Sequence, residues 1–394
     1  MKNFDVIVVG GGLIGASIAC ELAGQKLHVL ILDRQQPGRE ASWAAAGMLS
    51  PGPDSPEALP LVPLGKESLR LYPEFVASIE EASGLTVGLA REGTFEIFAG
   101  PRELEQRDQF LADYARLGIA AESVTIPAAR AIEPAVNPNA GCAAWLPGEA
   151  TVDPRLLIDA VLAAAKNRGV EIFAGCAVSQ ILAESGQCLS VQADGQKYSA
   201  PNVVVAAGSF CSGIGEPRAP QAVEVARYAP AYPVRGQMMA LRLSAGRLKK
   251  VLRSARGYLV PRADGRILAG STLEHVGFTK GTTPQGLRNI FDAAVELAPE
   301  LAQAEIVEQW SGLRPGSPDH LPIIGPTDVN GLWIATGHYR NGILLAPVTT
   351  KLIRDWVVRG KTNFAAEDFS PMRFSSPASQ VRAVMRSPAS SSLK

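Results

Sequence analysis

A glycine-rich turn between a strand pattern and a helix pattern is the feature that most constrains how this chain can fold. The run at 4–9 is short, apolar and rich in β-branched residues, as in a strand buried on both faces of a parallel sheet. Gly10, Gly12 and Gly15 have the GxGxxG spacing, which permits a tight turn, lets a pyrophosphate approach the backbone and brings the next helix close to the strand. With a second strand predicted at 28–32, the pattern indicates a β-α-β unit in a Rossmann-type sheet.

An acidic residue follows the second strand, where the ribose of a dinucleotide would lie. Asp33 stands eighteen residues after Gly15, and an acid at that place accepts hydrogen bonds from a ribose hydroxyl. Its charge would repel a 2′-phosphate, which argues against NADP. The helix predicted to begin at Leu13 and Ile14 presents free N–H groups and the positive end of its dipole to the phosphates. The motif predicts a dinucleotide cofactor and leaves FAD and NAD both open.

The rest of the chain alternates between nucleotide-type elements and β-rich material. Further helices are predicted around 68–83, 102–117, 153–166, 285–297 and 342–358, further strands at 170–174, 202–206 and 332–335, and a loop over the proline-rich stretch 51–64. Alternating segments such as Gly257–Pro261 and Arg266–Ala269 predict an antiparallel sheet between about 225 and 280. We therefore predict an α/β fold in which a Rossmann-type nucleotide-binding domain is interleaved with a β-rich domain of antiparallel or mixed sheet plus helices.

The predicted domains are discontinuous, because nucleotide-type elements occur at both ends of the chain. The nucleotide-binding domain is assigned to 1–90, 150–222 and 325–365, and the β-rich substrate domain to 91–149 and 223–324. The Ser/Pro/Ala-rich segment 374–394 is predicted to be a disordered tail.

Charge and composition exclude several functions. The 38 basic residues balance the 38 acidic ones and are dispersed, so neither nucleic acid nor an anionic membrane is an expected partner. The five cysteines form no CxxC pair, which favours a reducing compartment and predicts a cytoplasmic protein. The four histidines are scattered, so no metal site is predicted. The apolar N-terminal run contains Asp5 and the glycine turn, which indicates a strand rather than a signal peptide, and it is too short to span a bilayer.

A small-residue loop after the second β-α unit connects the chain to a known family. The stretch Ala41-Ser42-Trp43-Ala44-Ala45-Ala46-Gly47-Met48-Leu49 resembles the glycine oxidase branch of the D-amino-acid oxidase-like flavoproteins. In that family the loop passes under the isoalloxazine ring, where only small side chains leave room for a flat tricycle. The resemblance extends across roughly residues 4–360, and it implies FAD rather than NAD.

Three later segments carry the same resemblance. Gly175-Cys176-Ala177-Val178 is similar to the segment whose valine main chain meets the adenine, and residues 203–210 resemble a second strand and turn beside the nucleotide. The longest match is Gly337-His338-Tyr339-Arg340-Asn341-Gly342-Ile343-Leu344-Leu345-Ala346-Pro347, a strand end and turn that open the last helix. The amides of that turn are expected to face the flavin pyrimidine edge and to stabilise negative charge there.

Together the motif and the resemblance predict a set of FAD-binding residues. These are Gly10, Gly12, Leu13, Ile14, Gly15, Asp33, Arg34, Ala41, Ser42, Ala46, Gly47, Met48, Val178, Gly208, Gly337, His338, Tyr339, Arg340, Asn341, Gly342, Ile343 and Leu344. Some relatives tether their flavin through a cysteine late in the chain. The last cysteine here is Cys211, so the FAD is predicted to be non-covalent.

The chain departs from the family pattern at four positions. Asp33 replaces the usual Glu, and the shorter acid is still expected to reach a ribose. Trp43 stands where a small polar residue is common and is expected to narrow access. Arg256 and Leu273 stand where a well-known relative has histidine and methionine, and both are expected to alter the rim of the pocket, so substrate preference does not carry over.

Three residues are predicted to position an amino-acid substrate. A bidentate arginine is suited to hold its carboxylate, and the resemblance assigns that role to Arg314. Arg340, in the flavin-edge loop, is expected to reach the substrate, the loop or both. Tyr258 matches a family tyrosine whose hydroxyl faces the substrate.

No acid or base is needed for the reaction that the resemblance implies. The α-carbon of glycine, sarcosine or a small D-amino acid passes a hydride to flavin N5, the imine hydrolyses to an oxo acid, and O₂ is reduced to H₂O₂. A D-amino-acid dehydrogenase with a quinone or carrier acceptor, an NAD-dependent dehydrogenase and a non-catalytic flavin-binding protein stay as alternatives. The sequence does not rank the substrates or the electron acceptor. A homotetramer and a setting in thiamine biosynthesis follow from family habit alone.

Overall fold

The computed structural model describes residues 4–53, 55–100, 102–215, 221–244 and 248–375. Their strands are β1 (Val6–Val9), β2 (Val29–Asp33), β3 (Met48–Leu49), β4 (Thr94–Phe98), β5 (Glu122–Val124), β6 (Cys142–Leu146), β7 (Ala150–Thr151), β8 (Glu171–Ala174), β9 (Val178–Glu184), β10 (Gln187–Ala193), β11 (Gln196–Ser199), β12 (Asn202–Val205), β13 (Tyr232–Arg242), β14 (Val251–Ser254), β15 (Gly257–Pro261), β16 (Ile267–Gly270), β17 (Glu305–Gly316), β18 (Ile323–Pro326) and β19 (Leu332–Thr336).

Eight α-helices and several 3₁₀ turns connect the strands of the described chain. The helices are α1 (Leu13–Gly24), α2 (Ala41–Ala44), α3 (Val62–Ser83), α4 (Glu103–Arg116), α5 (Ile126–Ile132), α6 (Pro154–Asn167), α7 (Pro284–Leu297) and α8 (Ala346–Arg359). The 3₁₀ turns span Pro56–Leu61, Gly208–Gly213, Val225–Arg227, Pro299–Gln303, Glu367–Phe369 and Pro371–Phe374. Among the described helices, none has the length and apolar character needed to cross a membrane.

The first sheet is the predicted Rossmann-type sheet. Its strand order is β18-β19-β12-β1-β2-β8, and all neighbouring pairs are parallel except β18 with β19. Strand β1 is buried along its whole length because helices cover one face and a small three-stranded sheet, β11-β10-β9, lies near the other. The continuous apolar run at the start of the sequence is the expected signature of such a strand.

The second sheet has eight strands in the order β17-β13-β16-β15-β14-β4-β6-β5. Its pairs are antiparallel except β14 with β4, so the sheet is mixed, and the predicted α/β fold with a β-rich second unit is confirmed. Helix α7 covers one face, where Met239 and Ile290 lie in one apolar cluster. Met238, the next residue in β13, points to the opposite face and packs in a different cluster.

Helices α1, α3, α6 and α8 cover the Rossmann-type sheet from one side and contact one another. Helix α6 begins at a well-formed cap, since Asp153 accepts hydrogen bonds from the backbone N–H groups of Arg155 and Leu156 and Pro154 fills a position that needs no donor. The apolar stripe of α6 is buried against its neighbours, as its sequence periodicity predicts.

The chain contributes to the two sheets in alternation. The Rossmann-type sheet takes its strands from 6–33, 171–205 and 323–336, and the eight-stranded sheet from 94–146 and 232–316. The exact domain boundaries given above stay a prediction.

The structure differs from the sequence prediction in three places. The stretch predicted as loop at 51–64 contains a 3₁₀ turn, Pro56–Leu61, and the start of α3, because prolines suit the first turn of both elements. The last helix begins at Ala346 rather than Gly342, since residues 342–345 form a turn. Of the predicted disordered tail, Phe374 is buried at the end of a 3₁₀ turn, and residues 376–394 lie outside the described chain.

Candidate active site between the two sheets

The glycine turn after β1 has the geometry that its spacing predicts. Gly10 has φ +102°, and a Cβ there would lie 2.6 Å from the carbonyl oxygen of Ala206. A Cβ on Gly15 would lie 2.0 Å from the carbonyl oxygen of Gly10, so the helix packs directly on the turn. Gly12 is the N-cap of α1, and beside it is open space bounded by Ser42. These positions leave backbone N–H groups facing a cleft that fits a pyrophosphate.

Asp33 holds the glycine turn in place. One carboxylate oxygen accepts a hydrogen bond from the N–H of Gly11 at 2.7 Å, and the other accepts one from Gln35 at 2.9 Å. The side chain is only half-buried, so each oxygen keeps a lone pair for another donor. The shorter acid therefore stabilises the turn as well as standing where a ribose would lie.

Arg34 belongs to a chain of contacts that sequence reasoning missed. Its guanidinium carbon lies 3.5 Å from the ring centre of Phe210, which stacks on Phe278 with ring centres 4.8 Å apart. Arg34 also pairs with Glu40 at 2.7 Å, and Lys280 pairs with Glu40 at 2.6 Å. We call these five residues the Phe278 clasp. It fastens the segment after β16 to the segments after β2 and β12, beside the cleft that Glu40 helps to line.

The small-residue loop is fixed through its backbone. Ser42 Oγ accepts a hydrogen bond from Leu13 N at 3.0 Å, and Trp310 Nε1 donates to the carbonyl of Ala44 at 3.0 Å. Arg262 donates to the carbonyl of Ala46, and burial lowers the pKa of Arg262 to about 10. The loop therefore presents small side chains to the cleft while its polar backbone is held from behind.

Trp43 does not narrow the cleft, contrary to the sequence prediction. Its ring lies 3.5 Å from the guanidinium carbon of Arg155 and meets Trp310 edge-on at 6.4 Å. Trp43 is absent from the residues that line the described cavity. Its role is to fix the loop from the outer side. Leu273 is exposed and lies outside that lining, so its expected effect on the rim stays a prediction.

The turn before α8 is held by two buried hydroxyls of α3. Tyr72 donates to the carbonyl of Ile343 at 3.0 Å, and Ser68 donates to the carbonyl of Leu344 at 2.6 Å. With these carbonyls held on one side, the N–H groups of Gly342 and Ile343 have no acceptor among the described residues, and both residues line the cavity. The arrangement can bind a partial negative charge. Sequence reasoning found the turn but not the helix that holds it.

His338 lies in the same turn and is fully buried. Its Nε2 is 3.0 Å from Thr349 Oγ1. Burial lowers the pKa of His338 to about 3, so the imidazole is neutral at working pH and adds no charge to the turn.

Arg314 places a cation inside the cavity. Its guanidinium donates to Ser271 Oγ at 2.7 Å and to the carbonyl of Thr272 at 3.2 Å. No carboxylate of the described chain pairs with it, and burial lowers its pKa. A Cβ at Gly236 would lie 2.0 Å from one of its guanidinium nitrogens, so this glycine in β13 makes room for the arginine. A half-buried cation without a counter-ion is suited to bind an anionic ligand group.

Tyr258 stands beside Arg314 on the same face of the eight-stranded sheet. Its hydroxyl is 3.2 Å from Met238 Sδ, and a Cβ at Gly270 would lie 2.7 Å from that hydroxyl and 2.3 Å from the sulfur. Arg340, also predicted, lines the cavity with its guanidinium carbon 5.6 Å from the ring centre of Tyr339. The structure thus brings all three predicted substrate residues to one cavity.

A buried ion cluster lies one strand beyond Tyr258 and was missed from sequence. Arg253 is directly opposite Tyr258 in the β14–β15 pair and beside Glu96 in β4. It pairs with Glu96 and with Glu149, at 3.3 Å for the second, and donates to Ser50 Oγ at 2.9 Å. These neighbouring charges raise the pKa of Arg253 well above its ordinary value although burial opposes them. The cluster forms the part of the cavity wall that lies beyond Tyr258.

All these features border one cavity of about 530 Å³. The predicted residues that line it are Gly12, Leu13, Ile14, Ala41, Ser42, Ala46, Gly47, Met48, Gly208, Tyr258, Arg314, His338, Tyr339, Arg340, Asn341, Gly342 and Ile343. The predicted residues outside its lining are Gly10, Gly15, Asp33, Arg34, Val178, Gly337 and Leu344. Arg256 does line it, at a rim position where it also pairs with Glu296. The described chain contains no cluster of metal ligands.

A Rossmann-type sheet with a glycine turn, joined to a mixed sheet across a cavity that holds a half-buried cation, defines a dinucleotide-dependent oxidoreductase. The chain belongs to the FAD dependent oxidoreductase (DAO) family, which matches residues 5–356. Its cofactor is FAD.

Several relatives cover most of the chain. The glycine oxidase of Geobacillus kaustophilus is 32% identical over 375 residues, which are 94% of this chain and 97% of that protein. The glycine oxidase of Pseudomonas putida is 34% identical over 355 residues, covering 89% and 93%. The crystal structure of glycine oxidase from Geobacillus kaustophilus superposes with a TM-score of 0.88 at 31% identity and covers 95% of this chain and 99% of its own.

Other relatives are longer. The bifunctional protein ThiO/ThiG of Synechocystis is 35% identical over 378 residues, which are 94% of this chain and 54% of that protein. This chain thus spans about half the length of such bifunctional relatives.

Proposed function

We propose that the protein oxidises the α-amine of glycine, sarcosine or a small D-amino acid with non-covalent FAD, yielding an imine and, with O₂ as acceptor, H₂O₂. The observation that carries the proposal is Arg314, a half-buried cation that lines the cavity and has no carboxylate partner among the described residues. An amino-acid carboxylate supplies the missing negative charge. The relatives of matching length from Geobacillus kaustophilus and Pseudomonas putida are glycine oxidases, which supports the same reaction class.

The residues fit FAD at both ends of the cofactor. The glycine turn leaves space for a pyrophosphate beside Gly12, and the loop from Ala41 to Met48 presents only small side chains and one methionine to the cavity. The N–H groups of Gly342 and Ile343 are available for the electron-accepting ring. When bound, FAD accepts two electrons and a hydrogen from the substrate α-carbon and transfers the electrons to the acceptor.

The residues of this chain act by positioning. Arg314 binds the substrate carboxylate, held at a fixed angle by Ser271 Oγ and the carbonyl of Thr272. Tyr258 adds a hydroxyl beside that guanidinium, and Arg340 contributes a second cation from the opposite wall. Glu96 and His338 also line the cavity, but the Glu96 carboxylate pairs with Arg253 and the His338 imidazole contacts Thr349 Oγ1, so neither is free to act as a base. The substrate amine must therefore be neutral when it reacts.

This requirement predicts the pH dependence of catalysis. Below the pKa of the substrate amine, kcat/KM should rise about tenfold per pH unit and should level off once the amine is titrated. Steady-state rates with glycine between pH 6 and pH 10 measure this profile. A flat profile over that range would contradict a mechanism without a protein base.

The cellular setting is proposed from relatives and composition. ThiO is one half of the bifunctional relatives, which favours a role in thiamine biosynthesis. Balanced charge and five buried thiols favour the cytoplasm. A homotetramer is proposed on family habit, and size-exclusion chromatography with light scattering tests it.

The decisive experiment is the visible spectrum of the purified protein without oxygen, before and after glycine. A flavin band that bleaches with glycine supports the proposal, and admitting air should restore the band and produce peroxide. A band that bleaches but is restored only by a quinone would replace O₂ with another acceptor. A flavin band that does not bleach with glycine, sarcosine or D-alanine would overturn amine oxidation.

A further inference from the structure

The thioethers of Met48 and Met238 both line the cavity, and that of Met238 is the one in contact with Tyr258. Met238 lies in β13 next to Tyr258, and its Sδ is 3.2 Å from the tyrosine hydroxyl. Gly270 lies behind the sulfur, where even a Cβ would come within 2.3 Å. The side chain therefore has no room to withdraw; it is 2% exposed and lines the cavity.

Any peroxide made by the proposed reaction forms inside this cavity, before it escapes to solvent. Thioethers and thiolates are the side chains that peroxide oxidises most readily. No cysteine of the described chain lines the cavity, and burial raises the pKa values of Cys20, Cys142, Cys176 and Cys211, which keeps these thiols in the unreactive protonated form. The reactive sulfur nearest the site of peroxide formation is thus a methionine.

We propose that Met238 is a site of self-modification, converted to methionine sulfoxide by the peroxide that the enzyme releases during turnover. This inference rests on the proposed function, because that reaction supplies the oxidant. The Sδ lone pair attacks one peroxide oxygen and the O–O bond breaks. The other oxygen leaves as hydroxide and takes the proton that the attacked oxygen loses, giving the sulfoxide and water. The thioether loses two electrons and the peroxide gains them. The Tyr258 hydroxyl stands within reach to donate a hydrogen bond to the departing oxygen.

Modification at this position changes the substrate site directly. The sulfoxide oxygen cannot enter the space behind the sulfur, which Gly270 occupies, so it projects into the cavity. It also competes as a strong acceptor for the Tyr258 hydroxyl. We expect a raised KM for glycine with FAD still bound, so that the enzyme loses activity in proportion to the number of turnovers.

Three other methionines serve as internal controls for the oxidation of Met238. Met239 is the next residue but points to the opposite face of the sheet, where it is buried in an apolar core. Met372 is 37% exposed and lies on the surface. Met48 lines the same cavity and is half-buried. Trypsin releases Met238 and Met239 in the peptide Gly236–Arg242, where fragment ions between the two residues assign the oxygen.

The test compares two ways of exposing the holoenzyme to peroxide. One sample turns over glycine in air with catalase, which removes peroxide from bulk solution. The other receives added peroxide without glycine. Mass spectrometry then measures the sulfoxide fraction at each methionine. We expect turnover to oxidise Met238 severalfold more than Met372, and added peroxide to reverse that order. Equal ratios in the two samples, or an unmodified Met238 after activity has fallen, would overturn the proposal.

A matched pair of variants separates this chemistry from general instability. Met238→Leu should lose the turnover-dependent decline, with each time course normalised to its own initial rate, whereas Met239→Leu should retain it. A decline that persists in Met238→Leu overturns the inference. Oxygen uptake is recorded in the same samples. If glycine consumes no oxygen, the proposed acceptor fails and the inference fails with it. If peroxide forms and Met238 stays intact, only the inference fails.

Discussion

The two walls of the cavity present different kinds of chemical group to a ligand. On the Rossmann side, recognition depends on backbone: a turn that only glycine can adopt at Gly10, a small-residue loop held from behind, and the free N–H groups of the turn before α8. On the mixed-sheet side the groups are side chains: Tyr258 and Arg253 lie opposite each other on adjacent strands, and Arg314 reaches the same cavity from β17. A single charge substitution leaves the backbone N–H groups of the Rossmann side in place, whereas it changes the binding properties of the mixed-sheet side directly. Cofactor binding should therefore be robust to substitutions that alter substrate choice.

The largest expected change in kcat/KM for glycine comes from replacing Arg314. Replacing it by alanine removes the carboxylate partner and should lower kcat/KM for glycine by about 3 kcal/mol, roughly a hundredfold or more, with most of the change in KM. Arg314→Lys keeps the charge but loses bidentate geometry, so its loss should be smaller. Arg227→Ala, at an exposed ion pair with Asp328, serves as the control. Steady-state kinetics and the visible spectrum are the measurements, and loss of bound flavin in Arg314→Ala would break the separation of the two walls.

The second effect tests the backbone wall. Gly10→Ala forces a side chain into positive φ and against the carbonyl of Ala206, which should lower the free energy of unfolding by about 2–3 kcal/mol and reduce FAD content. Gly213→Ala is the matched control, because a Cβ there meets no atom within 4 Å. Urea unfolding and the flavin-to-protein absorbance ratio report both quantities. Full FAD occupancy in a stable Gly10→Ala protein would show that the turn is not required.

A third prediction concerns His338, in the turn before α8. Because burial lowers the pKa of His338 from 6.5 to about 3, unfolding below pH 6.5 takes up a proton. Its contribution to stability is complete above pH 6.5 and is lost as the pH falls towards 3, with a slope of about 1.4 kcal/mol per pH unit. His338→Asn should remove that slope from urea unfolding curves between pH 6.5 and pH 4.5, and His28→Asn, at an exposed position, should not. Identical slopes in wild type and His338→Asn would contradict a buried neutral imidazole.

The smallest effect is at the Phe278 clasp, where the two walls are joined. Phe278→Ala removes a stacked ring pair and should release FAD about fivefold faster, equivalent to about 1 kcal/mol. Val276→Ala changes an exposed apolar residue in the same segment without touching a ring. Recovery of flavin fluorescence after dilution measures release. If Phe278→Ala changes the KM for glycine and leaves the rate of FAD release unaltered, the clasp supports substrate binding on the mixed-sheet side and not cofactor binding.

Individual strands and helices were predicted well from the sequence, because each has a recognisable local pattern of residues. The predicted strands at 28–32 and 170–174 and the helix at 153–166 differ from the structure by one residue at each end or less, since apolar runs, caps and periodicity are local properties. The turn and loop motifs predicted the cofactor wall for the same reason. Residue roles at the site stay predictions until variants are measured.

What sequence reasoning missed depends on register between distant strands and segments. The Arg253 cluster combines residues 50, 96, 149 and 253, and each alone looks like a surface charge or a polar loop residue. Charged residues within strands β4 and β14 were a usable signal, because a charge in a central strand needs a buried partner. The contact between Phe210 and Phe278 had no such signal, and neither did the outward orientation of Trp43.

The hydrogen bonds made by the hydroxyls of α3 also determine the stage of protein synthesis at which the site can form. Ser68 and Leu344 are hydrogen-bonded across 276 positions of the chain, and the backbone N–H of Val348 donates back to Ser68. A nascent chain that has left the ribosome only as far as β17 already contains the glycine turn and Asp33, but the turn before α8 has not yet been synthesised. Stable capture of the cofactor must therefore follow release of nearly the whole chain. Until then the Rossmann-type sheet lacks β18 and β19, so the short apolar strand β12 has an unpaired edge at which chains can aggregate.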